Sequence, residues 1–130
     1  MDDNRRQYQR LRKKFRVEIS EFRYPLAEQP TVTTHCRDIS TGGLRVESPR
    51  SFQTGDKVQL TIYISGLNKF HPSYFKVFES DVGQHLVAVA EVAWIDEKAP
   101  LTLYDMGLKF VDVWEDDWKA LAAMIKKQLG

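Results

Sequence analysis

Cysteine is almost absent from this chain. Cys36 is the only one, so an internal disulfide and a cysteine-built zinc cage are both excluded, and a reducing compartment is the natural setting. Histidine is nearly as scarce: His35, His71 and His85 sit on three different segments. No H-E-x-x-H, P-loop, G-x-G-x-x-G or nucleophile elbow occurs. His35 and Cys36 are neighbours in a strand-like stretch, so their side chains point to opposite faces and form no dyad. No apolar run approaches the roughly 18 residues that a membrane-spanning helix needs, and the charged N-terminus has no apolar leader core. The expectation from these absences is a cytoplasmic protein without catalytic residues, metal, cofactor or membrane insertion.

Net charge is also nearly absent, at +1 over 130 residues, so bulk charge does not make the molecule a polyanion binder. Its distribution is uneven. Residues 1–16 carry Arg5, Arg6, Arg10, Arg12, Lys13, Lys14 and Arg16 against Asp2 and Asp3, a net +5, which leaves the rest of the chain at −4. A basic arm over residues 1–14 precedes a mildly acidic body over 15–130. Like charges in an arm repel one another and oppose packing, so the arm is expected to be flexible. The length fits one domain with a core of its own.

Period-two alternation dominates the body. Val58, Leu60, Ile62 and Ile64 share one face, opposite Lys57, Gln59, Thr61 and Tyr63. Leu44 and Val46 lie opposite Arg45 and Glu47 in the same way. Further strands are predicted at Phe15–Tyr24, Thr31–Asp38, Leu86–Ile95 and Leu103–Val111, separated by turn residues rich in Gly and Pro. One helix is predicted, over 113–129. Asp112 is its N-cap and Glu115 completes a capping box. Trp114, Trp118, Leu121, Ile125 and Leu129 form its apolar stripe, and both tryptophans are expected to pack on the barrel. Six short antiparallel strands and one closing helix make an all-β fold, a small barrel. Residues 66–84 break the rhythm with Phe70, Tyr74, Phe75 and Phe78; they read either as a satellite apolar cluster or as a docking surface.

Two short motifs carry chemistry. Asp38-Ile39-Ser40-Thr41-Gly42-Gly43 has side chains that bond their own backbone and glycines that ease a tight reversal, so it reads as a turn with no further duty, or as a turn that presents groups to a ligand. Arg12-Lys13-Lys14-Phe15-Arg16 alone reads as solvated basic surface. Together, R-x-x-x-R followed by D-x-S-x-x-G resembles the PilZ family. The tail Tyr104-Asp105-Met106-Gly107-Leu108-Lys109-Phe110 before a helix is similar to the usual end of that domain, and the likeness covers roughly Arg10 to Leu129.

The resemblance implies a six-stranded β-barrel of bacterial origin that binds the second messenger cyclic di-GMP, with two guanines and two phosphodiester charges. Arginine guanidinium matches the O6/N7 edge of guanine or a phosphate. By this resemblance Arg12 and Arg16 grip the ligand. Asp38 accepts from the N1–H and N2–H₂ donors of guanine, Ser40 meets a phosphate, and Gly42 and Gly43 let the ligand approach. Many relatives carry an extra arginine where this chain has Leu11. Leucine has no donor, which implies one ligand per protomer, with Arg10 as the nearest substitute. The ligand is then expected to order the arm and expose a surface to a protein partner in trans, or to a second copy. Two alternatives stand beside this: a PilZ-like interaction module that binds no ligand, and a nucleic-acid-binding barrel with a basic arm, against which the acidic body argues.

Overall fold

The computed structural model describes residues 10–70 and 85–129. Arg5, Arg6, His71, Tyr74, Phe75 and Phe78 lie outside the described residues, as does the side chain of Leu129. Six antiparallel strands close into a barrel: β1 (Arg16–Glu21), β2 (Val32–Ser40), β3 (Gly43–Ser48), β4 (Lys57–Tyr63), β5 (His85–Ala99) and β6 (Leu103–Val113). The spatial order is β1-β2-β3-β6-β5-β4, with β4 returning to pair with β1. Closure gives every strand two neighbours and leaves no open sheet edge.

Alternation builds the core as anticipated. Val58, Leu60 and Ile62 of β4 are fully buried, with Val17 and Ile19 of β1 beside them and Leu86, Ala88, Ala90 and Val92 of β5 opposite. Truncating one of these, Ile62→Ala for instance, costs on the order of 2–5 kcal/mol, because a packed interior collapses only partly around the void.

The core begins earlier in the chain than the strand pattern. Leu11 and Phe15 are buried members of the cluster. Leu11 forms an isolated bridge with Ile39: its N–H donates to the Ile39 carbonyl at 2.7 Å, and the Ile39 N–H donates back at 3.0 Å. The Cys36 N–H donates to the Phe15 carbonyl, and the Cys36 thiol to the Lys13 carbonyl. Residues 10–15 therefore run against the barrel, pegged by two apolar side chains.

The helix α1 spans Glu115–Leu129, two residues later than anticipated. Asp112 is not its cap: it lies in β6, paired with Val89, and the first helical bond runs from the Trp118 N–H to the Trp114 carbonyl. The β5–β6 ladder holds the chain extended through Val113, so tertiary pairing overrides the local capping signal. Glu115, Asp116 and Asp117 occupy the first turn and Lys126 and Lys127 the last, both favourable to the helix dipole. Ala120, Leu121, Met124 and Ile125 are buried, and the helix packs on the short 3-10 turn Leu67–Phe70 and on β2. Trp118 at the barrel rim is 37% exposed and Trp114 60% exposed, so neither indole is covered by the barrel as anticipated. The Trp114 ring falls one turn before the buried stripe begins. No helix among the described residues is long and apolar enough to cross a membrane.

Candidate functional site

Two β-bulges decide what faces outward beside β2. Cys36 and Ile39 both point into the core although three positions separate them. The ladder explains this: Cys36 pairs with Val46, the next pair is Asp38 with Arg45, and Arg37 is the extra residue. The bulge re-aims Asp38 from the core face to the outer wall. In β5, a register shift between Val92 and Trp94 does the same. Leu86, Ala88, Ala90 and Val92 face inward; strict alternation would place Trp94 with them, yet Ile95 packs against the core and Trp94 is 42% exposed.

The result is a row across four strands. Asp38 of β2 is opposite Arg45 of β3, Arg45 is opposite Gly107 of β6, and Gly107 is opposite Trp94 of β5. Gly107 leaves room for the indole: a Cβ there would lie 2.1 Å from Trp94 Nε1. Gly43 has a different task. A Cβ on it would lie 2.0 Å from the Leu108 carbonyl oxygen, so its bareness lets β3 approach β6.

Above this row lies an open basin of about 1090 Å³, walled by the 10–14 segment on one side and by β6 and α1 on the other. Arg10, Arg12, Lys14, Arg45 and Lys109 all line it, and Asp38 is the only acidic side chain among the described residues that do. Such a wall attracts anions and concentrates them. Asp38 is 8% exposed; Arg10 Nη1 donates to its Oδ1 at 2.8 Å, and Arg45 Nε approaches its Oδ2 at 3.7 Å. That last distance is an ion pair and not a hydrogen bond, and Arg45 Nε, although buried, has no hydrogen-bond partner among the described residues.

Ser40 is buried and shapes the turn: its hydroxyl accepts from the Gly42 N–H at 3.1 Å and approaches the Gly43 carbonyl at 3.4 Å. Gly42 and Gly43 line the basin beside it. The Gly42 carbonyl accepts from the Phe110 N–H, and the Thr41 carbonyl accepts from the Trp118 indole N–H. Leu11 lies in the core under the wall and presents no polar group.

The two motif arginines part company. Arg12 is exposed and lines the basin. Arg16, at the start of β1, has its guanidinium over the Tyr63 ring at 4.1 Å, does not line the basin, and neighbours a Tyr63 hydroxyl that donates to Glu18 Oε1. That hydrogen bond, before any burial, raises the pKa of Tyr63. Burial raises that of the Cys36 thiol, with the nearby Asp38 charge adding to it.

Arg45, Lys109, Trp94 and Trp118 were not singled out by motif. Arg45 was legible as an outward residue of an alternating strand. Trp94 was not, because alternation assigns it to the core. No group of metal-ligating side chains occurs among the described residues.

A model of the PilZ domain matches residues 4–127. Among solved structures, the fold is similar to the inhibitor of motility MotI/DgrA of Bacillus subtilis, with TM-score 0.69 and 21% identity over 95% of this chain and 51% of that one. It is similar to the PilZ domain of YcgR from Escherichia coli, solved with c-di-GMP: TM-score 0.61, 17% identity, 95% of this chain and 90% of that one. It is also similar to the PilZ domain of CeSA from a cellulose-synthesizing bacterium: TM-score 0.57, 12% identity, 94% and 99%. The chain spans about half the length of the Bacillus protein. No curated protein sequence gives a significant match. At such identities the structural likeness is one of fold, and the family rests on the domain match across nearly the whole chain: this protein belongs to the PilZ domain family.

Proposed function

We propose that this protein is a cyclic di-GMP receptor and that the basin between the 10–14 segment and the β2–β3 turn is its site. The observation that carries this reading is the bulge at Arg37, which turns one carboxylate, Asp38, into a basin whose other charged side chains among the described residues are all cations. The ligand has matching chemistry. Its phosphodiesters are anions, and the Watson–Crick edge of guanine is a row of donors that needs an acceptor. Asp38 accepts from that edge. Arg12 and Arg45, whose side chains line the basin, meet a phosphate or the O6/N7 edge. Ser40 and the Gly42 N–H meet a phosphate. Trp94 offers a flat face at the far end of the row, on which a purine stacks. Arg16 contributes by leaving the Tyr63 ring.

Binding requires Arg10 to give up Asp38. We take this exchange to be the switch: the arm, released at Arg10 and pegged at Leu11, reorders around the ligand and offers a new surface to a partner protein. With Leu11 in the core, nothing at that position bridges a second guanine, and the proposed stoichiometry is one ligand per protomer. The test is equilibrium dialysis of labelled cyclic di-GMP against the wild type, Arg12→Ala and Arg16→Ala. Each variant is expected to lose about tenfold or more in affinity, the weight of a charge-assisted contact. Undiminished binding by Arg12→Ala contradicts the placement of the site.

A further inference from the structure

We infer that the peptide unit joining Thr41 to Gly42 is a lever between the candidate site and helix α1, and that Trp118 is the positioning residue at its far end; the ligand part of this inference rests on the proposed cyclic di-GMP reading. The two polar groups of that one peptide are bonded in opposite directions. Its N–H, on Gly42, donates to Ser40 Oγ at 3.1 Å, on the basin side. Its C=O, on Thr41, accepts from Trp118 Nε1 at 2.9 Å, on the helix side. A peptide unit is planar and stiff, so the N–H cannot be redirected without swinging the carbonyl.

The surroundings leave this unit as the adjustable part. The next carbonyl, of Gly42, is fixed by the Phe110 N–H in the β6 backbone. Gly43 is clamped against Leu108. Below Trp118, Ala120, Leu121, Met124 and Ile125 anchor α1 as a unit. Trp118 itself is 37% exposed, lines the basin, and joins α1 to a turn 77 residues away through its indole N–H. Its indole is a donor without an acceptor function, so this bond exists only while the Thr41 carbonyl faces it. When an anion in the basin engages Ser40 Oγ and the Gly42 N–H, it holds the plane, and the indole contact is held with it. Reciprocity then holds: if occupancy alters the Trp118 bond, deleting the bond alters occupancy by the same factor. The turn held by Trp118 is the one that presents Ser40 and the Gly42 N–H, so losing the bond loosens the site.

The experiment follows the indole N–H resonances of ¹⁵N-labelled full-length protein. In ligand-free Ser40→Ala, the plane loses its basin-side acceptor, and the Trp118 indole signal is expected to shift while that of Trp94, on β5 at the far end of the row, stays. From the other end, Trp118→Phe keeps an aromatic ring and removes the donor, and the Gly42 amide is expected to shift. Neither arm needs ligand, so both judge the lever even if cyclic di-GMP does not bind. With ligand, Trp118→Phe is expected to weaken binding about three- to tenfold, the value of one net hydrogen bond. The double variant is expected to lose less than the two single losses multiplied. An unmoved Trp118 indole in Ser40→Ala, together with an unmoved Gly42 amide in Trp118→Phe, overturns the lever. Multiplicative losses in the double variant overturn the coupling to ligand.

Discussion

Arg10 Nη1 lies 2.8 Å from Asp38 Oδ1, so the one carboxylate of the basin is occupied by the chain's own arm. The Arg10 side chain is 43% exposed, and solvent keeps the strength of the pair within about 1 kcal/mol. An internal occupant of that strength lowers the apparent affinity of any ligand that needs Asp38 by up to about fivefold. Arg10→Ala is therefore expected to leave thermal stability almost unchanged, because Arg45 still faces Asp38, and to tighten cyclic di-GMP binding by about two- to fivefold. Isothermal titration of the variant checks this. Weaker binding would instead make Arg10 a ligand contact.

The two glycines under the basin are expected to respond differently. In Gly43→Ala the new Cβ meets the Leu108 backbone carbonyl, which has no freedom to retreat, and the cost is on the order of 1–3 kcal/mol in urea unfolding. In Gly107→Ala it meets the exposed indole of Trp94, a side chain that can swing away. Stability is then expected to fall by less than about 1 kcal/mol, while Trp94 fluorescence and ligand affinity both change. Equal unfolding costs for the two variants would contradict this division of labour.

Leu101 sits at φ +60° in the β5–β6 hairpin and is 83% exposed. It spends backbone strain without burying its apolar surface. A left-handed conformation costs a residue with a Cβ about 1–2 kcal/mol, part of which glycine returns as unfolded-state entropy. Leu101→Gly is expected to raise unfolding stability by about 0.5–1 kcal/mol with no effect at the basin. A destabilised Leu101→Gly protein would contradict this account of the hairpin.

Alkaline pH is expected to weaken the fold in two steps. Cys36 and Tyr63 both have pKa values raised in the folded state, the first mainly by burial and the second mainly by the hydrogen bond to Glu18. A raised pKa means that the unfolded chain releases its proton first. The stabilisation is complete below the ordinary values of 9.0 and 10.0 and is lost as pH rises through and beyond them. Chemical denaturation between pH 8 and 11 checks the sign, and Cys36→Ala is expected to remove the earlier step. At neutral pH the same burial is expected to make the thiol slow to alkylate.

The barrel was legible because its inward residues alternate without interruption where the sheet is regular, as in Val58–Ile62. The turn and the basic segment were legible as motifs. What alternation hides is whatever a bulge re-aims. Asp38 entered the site reading through a motif and not through its face, and Trp94 did not enter at all, since an unbroken count from Leu86 puts it in the core. The helix start misled for the opposite reason: Asp112 and Glu115 form a sound local signal that the β5–β6 ladder outweighs. The different placements of Arg12 and Arg16 depend on Tyr63, 47 positions beyond Arg16, and no local spacing reveals that.

The most direct measurement is a calorimetric titration of the full-length protein with cyclic di-GMP, run in parallel on Asp38→Ala and with GTP as a competitor. The account predicts micromolar or tighter binding, near one ligand per chain, lost in Asp38→Ala and not displaced by GTP. No heat from the wild type would contradict it, and so would a wild-type affinity that Asp38→Ala preserves.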